Sequence, residues 1–291
     1  EIRIVRQQRY ASADYPSFDS LLGEFLADAP AIASACFGVA GPTDGRNAKL
    51  TYLPWQLTAD TLEQNFAIGR VALINDFAAA AHGLPLVDDK DILTLHAGQP
   101  EPQAPRVILG AGTGLGVAGL IWQNGHYQVI PGEGGHFGFS PQTAEQGELW
   151  QSLLTKSGRV TVEDIVSGPG LSRIFAHFSG RPWEPEEIGQ AALAGTDPHA
   201  RAALRLWLEC YGAFAGDLAM HWLARGGVYL AGGMAAKLLP HIDAAPFIDA
   251  FLAKPDADTL SAAKAAWVAA RVPYLQSEVF RFGNTIIDDW E

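Results

Sequence analysis

The sequence predicts an α/β fold, because short apolar runs typical of buried strands alternate with segments of helical periodicity. The run from Ile32 to Ala40 ends at Gly41-Pro42, and the run from Val71 to Ile74 ends at Asn75-Asp76. Both runs are too short for helices and stop at turn-forming residues, which favours strands. Helices between such strands indicate at least partly parallel pairing.

Three short helices are predicted in the first part of the chain. The first follows Ser17, which is placed to cap a segment with apolar residues at helical spacing. The second begins near Asp60, which together with Glu63 resembles a capping box. The third is an alanine-rich segment that stops at Gly83.

A linker is predicted from Pro85 to Pro105, since this segment holds four prolines and an acidic patch and has little periodicity. A boundary near its start divides the chain into domains of residues 1–86 and 87–291. The second domain opens with the strand Arg106 to Leu109, and its longest predicted helix runs from about His199 to Ala224.

Composition and charge exclude some classes of partner. The 291 residues carry 20 Lys and Arg against 32 Asp and Glu, a net charge of −12. We expect no binding to nucleic acid or to an anionic membrane surface, since both are bound through clustered positive charge. Hydrophobic residues make up 48% and charged residues 18%, a globular composition. No run of 18 apolar residues is present, so no transmembrane helix is expected.

The two cysteines, Cys36 and Cys210, lie far apart in the chain, and each is surrounded by apolar residues. Two buried free thiols are therefore favoured over a disulfide, which fits a reducing compartment. We expect a cytoplasmic protein.

A glycine cluster, in which Gly110, Gly112, Gly114 and Gly116 alternate, directly follows a predicted strand. Such glycines let backbone N–H groups approach a phosphate, although a tight turn without a ligand stays an alternative. The cluster lacks the lysine of a Walker A loop. Its G-x-G-x-x-G spacing fits a dinucleotide fingerprint, but that fingerprint needs a helix after the glycines. Asn124-Gly125 between apolar runs predicts a hairpin instead, which argues against an oxidoreductase.

Polar residues of possible catalytic use follow the predicted strands. Asp76 stands at a strand end, where α/β sheets bind ligands, and catalysis and a helix N-cap are both open for it. Glu133 and His136 lie on a glycine-rich loop, for which recognition of hydroxyl groups and a surface turn are both open. No metal site is predicted, because such a loop does not hold two ligands one helical turn apart. Glu163 is predicted on a short helix, where a carboxylate is most often a solvated charge.

Taken together, five segments resemble the bacterial glucokinase family in residues, order and spacing. They are LINDF at 73–77, LGAGTGLGVAGL at 109–120, PGEGGHFGF at 131–139, VSGPGL at 166–171 and YLAGGM at 229–234. The resemblance extends from about Tyr10 to about Pro273. It implies a two-domain actin-like (ribonuclease H-like) ATPase fold of the α/β class, with glucose and ATP meeting in the cleft between a small and a large domain.

The resemblance also implies a role for each matched position. The general base of the family falls on Asp76, which would accept the proton of the sugar 6-hydroxyl, and Asn75 would hydrogen-bond the sugar. Three further sugar-binding positions fall on Glu133, His136 and Glu163. The nucleotide-binding positions implied, in a phosphate loop and in a glycine pair near the adenosine, are Gly110, Ala111, Gly112, Thr113, Gly114, Gly232 and Gly233.

The function implied is ATP-dependent phosphorylation of glucose at the 6-hydroxyl, by a cytoplasmic kinase of glycolysis. Glucose and ATP would be the partners, Mg²⁺ the cofactor, and a homodimer is left open. Residues 1–86 would form the small sugar-binding domain, and residues 87–291 the large domain that binds nucleotide and sugar. The alternative is a sugar-binding or regulatory relative that does not transfer phosphate.

Three features depart from the family pattern. No Asp-Gly-Gly-Thr phosphate loop precedes Arg9-Tyr10, so we expect an incomplete small domain and weak or no kinase activity from the 291-residue chain as written. Tyr52 stands where the family usually has an Asn near the sugar. The C-terminal segment SEVFRFGNTIIDDWE does not resemble the closing helix of the family.

Overall fold

The computed structural model describes residues 5–50, 53–241, 243–253 and 267–270. These residues divide into two compact units, the first ending at Leu86 and the second beginning at Val87. Each unit has its own cluster of buried apolar side chains. Tyr52 and the C-terminal segment from residue 271 lie outside the described residues.

The first unit is built on a pair of parallel strands. Its elements are α1 (Phe18–Leu26), β1 (Ala35–Val39), β2 (Asn47–Lys49), β3 (Gln56–Thr58), α2 (Ala59–Phe66), β4 (Val71–Asn75) and α3 (Asp76–Gly83). β1 and β4 pair in parallel, with Ala35 opposite Val71 and Val39 opposite Asn75. β2 and β3 form a separate antiparallel pair. The parallel pairing predicted from the alternation of strands and helices is confirmed.

Helix α1 begins as predicted. The Oγ of Ser17 accepts a hydrogen bond from the Ser20 amide at 3.2 Å, which satisfies one of the free N–H groups at the helix start. The apolar face of the helix, carried by Phe18, Leu21 and Leu22, is buried in the core of this unit.

The capping box predicted at Asp60 and Glu63 is wrong, because both carboxylates bind the guanidinium of Arg46 instead. Glu63 also accepts a hydrogen bond from the Val71 amide at 2.7 Å, and Arg46 donates to the Val71 carbonyl at 2.6 Å. These contacts tie α2 to the first residue of β4. They lower the pKa of the Glu63 carboxyl below its usual value, chiefly through the hydrogen bonds from Arg46.

The described residues of the second unit form a six-stranded mixed sheet with helices packed on it. Its strands are β5 (Ile92–His96), β6 (Arg106–Ala111), β7 (Leu115–Gln123), β8 (His126–Gly132), β9 (Val228–Ala231) and β10 (Trp267–Ala270). Its helices are α4 (Ala144–Ser157), α5 (Gly168–Ser179), α6 (Pro185–Ala194), α7 (Pro198–Trp222), α8 (Gly233–Leu238) and α9 (Ala245–Leu252). The strand order is β5-β10-β9-β6-β7-β8, and β10, β9 and β6 are mutually parallel.

The hairpin predicted after the glycine cluster is confirmed. β7 and β8 pair antiparallel around Asn124 and Gly125, whose φ values are 53° and 84°. Positive φ at both central residues is what a type I′ turn requires. No helix therefore follows the glycines, and the dinucleotide fingerprint does not apply.

The predicted linker from Pro85 to Pro105 contains a strand that was not predicted from the sequence. This strand, β5, pairs antiparallel with β10 at one edge of the sheet. Its short apolar run lies between an acidic patch and a proline-rich segment, which hides the strand signal in the sequence.

Helix α7 organises the second unit and matches the longest predicted helix. It packs against α5, α6 and α9, and its Trp207 and Tyr211 side chains are fully buried. Gly212 lets α9 approach closely, since a Cβ atom there would overlap the carbonyl oxygen of Phe247. Among the helices of the described residues, including α7, none is both long and apolar enough to cross a bilayer.

Cysteine burial follows the prediction at one of the two positions. Both thiols are free, and Cys210 is buried in α7, where burial raises the pKa of its thiol. Cys36 was expected to be buried and is exposed. Successive side chains of a strand point to opposite faces, and in β1 the neighbouring Phe37 faces the core.

Two helical glycines give a matched test of the packing around α7. We expect Gly212→Ala to destabilise the protein by about 1–3 kcal/mol or more, because the added methyl group forces α9 away. Gly147 in α4 has open space around its Cβ position, so Gly147→Ala should leave stability unchanged or raise it by up to about 1 kcal/mol. Urea unfolding midpoints measure both effects. Equal midpoints for the two variants would contradict the close approach.

The Arg46 ion pair predicts a pH dependence of stability. A carboxyl whose pKa is lower in the folded state stabilises the protein above its unfolded pKa, about 4.3 for Glu, and loses this contribution as the pH falls through the folded pKa. Glu63→Gln should therefore lower Tm at neutral pH, and the gap in Tm to wild type should narrow as the pH falls below the unfolded pKa of the Glu63 carboxyl. The control Asp28→Asn, at an exposed carboxylate of the same unit, should give a Tm that runs parallel to wild type. A constant gap for Glu63→Gln would contradict the assignment.

Candidate active site

Asn75 and Asp76 stand at the end of β4, where α3 begins. Asn75 is the N-cap: its Oδ1 accepts hydrogen bonds from the amides of Phe77 at 2.9 Å and Ala78 at 3.1 Å. Asp76 is the first residue of the helix, is half-buried, and accepts from the Phe77 amide at 2.8 Å through Oδ1. The cap function that the sequence left open for Asp76 therefore belongs to Asn75.

The cap determines what the Asn75 side chain can offer to a ligand. Its oxygen already accepts two hydrogen bonds, which occupy both lone pairs. Its amide nitrogen makes no hydrogen bond within the described residues, and it carries two N–H donors. Asn75 is thus oriented as a donor, beside the acceptor oxygens of Asp76.

The glycine cluster forms the turn between β6 and β7. Ala111 pairs with Leu115, and the three residues between them close the glycine hairpin, residues 110–116. A Cβ atom on Gly114 would lie 2.7 Å from Oε2 of Glu163, so a larger residue there would displace this carboxylate. On the other side of the turn, the carbonyl oxygen of Gly112 accepts a hydrogen bond from the Gly168 amide at 2.7 Å.

The second predicted nucleotide-binding segment lies against this hairpin. β9 runs parallel to β6, with Ala231 opposite Gly110, so Gly232 follows directly at the same sheet edge. Gly232 has φ +89°, and a Cβ atom there would lie 2.8 Å from the carbonyl oxygen of Ala111. The structure therefore brings residues 110–114 together with Gly232 and Gly233.

The segment Glu133–His136, named the sugar loop for the sugar binding that the resemblance implies, packs on β7 through its glycines. Gly134 and Gly135 form a single 3₁₀ turn with His136. A Cβ atom on Gly135 would overlap the carbonyl oxygen of Leu115, and one on Gly134 would lie 3.0 Å from the Val117 side chain. Two glycines at this point allow the loop to lie flat on the strand.

Glu133 and His136 extend from this turn into solvent. Their side chains are 76% and 63% exposed, and Glu133 Oε2 lies 3.7 Å from His136 Nδ1. The guanidinium of Arg159 donates to the His136 carbonyl oxygen at 3.0 Å, which holds the loop backbone. A carboxylate and an imidazole are thus presented side by side and accessible to a polar ligand.

Glu163 is placed differently from the prediction. It lies in a turn and not on a helix, because the Asp164 carboxylate accepts from the amide and the hydroxyl of Thr161, at 2.9 and 2.8 Å, and α5 begins only at Gly168. Glu163 is also not a freely solvated charge, since it is half-buried. Its Oε2 accepts from the Leu115 amide at 2.8 Å.

No individual role was predicted for Ser167 from the sequence. It is 1% exposed and caps α5, accepting from the Gly170 amide at 3.0 Å and donating to the Glu163 carbonyl at 2.7 Å. The indole of Trp207 donates to its carbonyl oxygen at 3.1 Å. A serine directly before Gly-Pro at a helix start is the sequence signal that identifies such a cap.

The second unit thus gathers most of the predicted site residues. Glu133, His136, Glu163 and both glycine segments lie within it, whereas Asn75 and Asp76 belong to the first unit. Within the described ranges, no group of three or more His, Cys, Asp or Glu side chains is placed to hold a metal ion.

Comparison with known proteins gives the family. The model of the Glucokinase family matches residues 1–270. A glucokinase of Nostoc sp. (strain PCC 7120 / SAG 25.82 / UTEX 2576) is 38% identical over 279 residues, which cover 85% of this chain and 82% of the relative. A glucokinase of Nostoc punctiforme is 38% identical over 283 residues, which cover 87% and 83%.

Solved structures agree in fold. The crystal structure of a glucokinase from an Antarctic psychrotroph has a TM-score of 0.80 and 25% identity, covering 92% of this chain and 86% of that one. A ROK family glucokinase from Streptomyces griseus, in complex with glucose and AMPPNP, has a TM-score of 0.57 and 18% identity, covering 91% and 88%. The actin-like ATPase fold expected from the sequence is confirmed. From the match over residues 1–270 and the two relatives at 38% identity, this chain belongs to the glucokinase family.

Proposed function

We propose that this chain transfers the γ-phosphoryl group of ATP to the 6-hydroxyl of glucose. The observation that carries the proposal is the family match over residues 1–270. The site supports it, because the chain presents acceptor and donor side chains suited to sugar hydroxyls together with glycine backbone suited to phosphates. A cytoplasmic location and a homodimer belong to the same proposal, and cell fractionation and light scattering test them.

Asp76 is the general base in this proposal. Its carboxylate accepts the proton of the 6-hydroxyl as O6 forms a bond to the γ-phosphorus, and the bond from that phosphorus to the leaving oxygen of ADP breaks. The carboxylate lies at the start of α3, where a helix N-terminus favours the ionised form that is able to accept a proton. The hydrogen bond from the Phe77 amide to one carboxylate oxygen orients the group.

Sugar binding is assigned to four further side chains. Asn75 donates from its amide nitrogen, while Glu133 and Glu163 accept from hydroxyls and His136 either donates or accepts. A site built from several such groups rejects a sugar that lacks one hydroxyl, because a protein group is then left unpaired.

Nucleotide binding is assigned to Gly110, Ala111, Gly112, Thr113, Gly114, Gly232 and Gly233. The absence of side chains at the glycines lets phosphate oxygens approach the backbone N–H groups. Mg²⁺ fits as an ion carried by the nucleotide, because it is commonly held by phosphates, water and one or two carboxylates and needs no protein cage. Bound there, it would neutralise charge on the phosphates.

Two measurements on this chain test the proposal. Titration calorimetry with glucose and with Mg-ATP, done separately, should show binding of both ligands. A coupled assay should show glucose 6-phosphate formed from them, which would also contradict the weak turnover expected from the sequence. Glucose binding without nucleotide binding or turnover would favour the non-catalytic sugar-binding relative, and a chain that binds no glucose would contradict both functions.

The base assignment makes a sharper prediction. We expect Asp76→Asn to lower kcat by about 10²-fold to 10⁴-fold, the usual range for a positioned base, while glucose affinity changes little, because the amide keeps a hydrogen-bonding oxygen. The coupled assay and glucose calorimetry measure the two effects. Asp28→Asn, at an exposed carboxylate of the same unit, is the control and should behave as wild type. Turnover near wild type in Asp76→Asn would show that the base lies elsewhere.

A further inference from the structure

We propose that Glu163 is a positioning residue that couples the sugar loop to the glycine hairpin, so that a sugar held at the loop also orders the hairpin. The inference rests on the proposed function for the identity of the two ligands. It goes beyond the sugar-binding role of Glu163, because it assigns this residue an effect on nucleotide binding.

The first observation is the contact between the Glu163 carboxylate and the hairpin. Oε2 accepts from the Leu115 amide at 2.8 Å, across 48 positions of sequence. The carboxylate also covers Gly114, where any Cβ atom would meet Oε2 at 2.7 Å. A hydrogen bond to an ionised acceptor is stronger than one between neutral groups, so this contact restrains the turn.

The second observation is that the backbone of the same residue holds the sugar loop. The Glu163 amide donates to the Gly135 carbonyl oxygen at 2.9 Å, and the neighbouring Val162 amide donates to Phe137 at 2.9 Å. Glu163 therefore contacts the loop through its main chain and the hairpin through its side chain. A shift of one is transmitted to the other through a single residue.

A third set of hydrogen bonds connects the segment after Glu163 to the hairpin a second time. The Glu163 carbonyl accepts from Ser167 Oγ at 2.7 Å, and the next residue, Gly168, donates from its amide to the Gly112 carbonyl at 2.7 Å. The hairpin is thus held at Gly112 and at Leu115 by the same short segment. Trp207 fixes this segment to α7 through the Ser167 carbonyl oxygen.

The chemistry of the carboxylate gives the coupling its direction. Oε2 is engaged by the Leu115 amide, whereas Oε1 makes no hydrogen bond within the described residues and can accept from a sugar hydroxyl. A hydroxyl on Oε1 would fix the carboxylate plane and so strengthen the bond to the hairpin. We expect glucose to raise nucleotide affinity, and nucleotide to raise glucose affinity by the same factor, because the coupling free energy is reciprocal.

Glu133 is a matched control, because the proposed function places it on the same sugar but its side chain takes part in none of these hydrogen bonds. It is 76% exposed, and the contact resolved for it is with His136 at 3.7 Å. Glu133→Gln should weaken glucose binding without changing the hairpin. Glu163→Gln is a second control, since its amide oxygen can still accept from the Leu115 amide.

The test measures the hairpin directly and needs no catalysis. Amide hydrogen exchange of residues 110–116 is followed in the ligand-free chain for wild type, Glu163→Ala, Glu163→Gln and Glu133→Gln, with circular dichroism as a check on folding. We expect exchange at the Leu115 amide to be about tenfold faster or more in Glu163→Ala, which loses a bond to a charged acceptor. Exchange should be intermediate in Glu163→Gln, whose amide oxygen is a neutral and weaker acceptor, and within about threefold of wild type in Glu133→Gln. Without sugar, the affinity for Mg-ADP should be highest in wild type and Glu133→Gln and lowest in Glu163→Ala.

In the second part of the test, amide hydrogen exchange is measured with glucose added. Glucose should slow exchange of the hairpin in wild type and, at saturation, in Glu133→Gln, but not in Glu163→Ala. Equal exchange rates and equal Mg-ADP affinities in Glu163→Ala and Glu133→Gln would overturn the proposal, as would a hairpin in wild type that does not respond to bound glucose. A wild type that binds no glucose contradicts the proposed function, and the ligand-free comparison then decides the positioning role by itself.

Discussion

The second unit depends on the close approach of backbone segments at the carboxyl ends of β6 and β9. Gly112 and Gly168 are joined by a hydrogen bond of 2.7 Å, and Gly232 lies against the carbonyl oxygen of Ala111. A Cβ atom at Gly232 would lie 2.8 Å from the Ala111 carbonyl oxygen, so a side chain there would force these segments apart. The glycines that allow this close packing also leave the backbone at the sheet edge uncovered by side chains, which is what phosphate recognition needs.

Features governed by neighbours in sequence were predicted well. The Ser17 cap and the hairpin at Asn124-Gly125 each depend on residues within a few positions, and the structure has both. Features governed by distant partners were not predicted. Arg46 binds the carboxylate of Glu63, 17 positions away in sequence, and the predicted capping box therefore does not form. A charged partner forms stronger hydrogen bonds than a helix amide does.

For the candidate site, the sequence proposes residues but not the contacts that hold them in place. The motifs singled out the glycines as a group, whereas the structure separates their tasks. Gly114 makes room for Glu163, Gly135 for the Leu115 carbonyl and Gly232 for the Ala111 carbonyl. Glu163 itself was expected on a helix. Its true neighbours come from β7 and the sugar loop, and local periodicity carries no information about either.

The cap made by Asn75 has a consequence for chemical ageing of the protein. Deamidation to aspartate would keep an oxygen facing the amides of Phe77 and Ala78, so α3 would stay capped. The two N–H donors would be replaced by a second acceptor oxygen, next to the carboxylate of Asp76. Such damage would leave Tm nearly unchanged. A hydroxyl group approaching this point would, however, face two neighbouring carboxylates in place of one carboxylate and one N–H donor group.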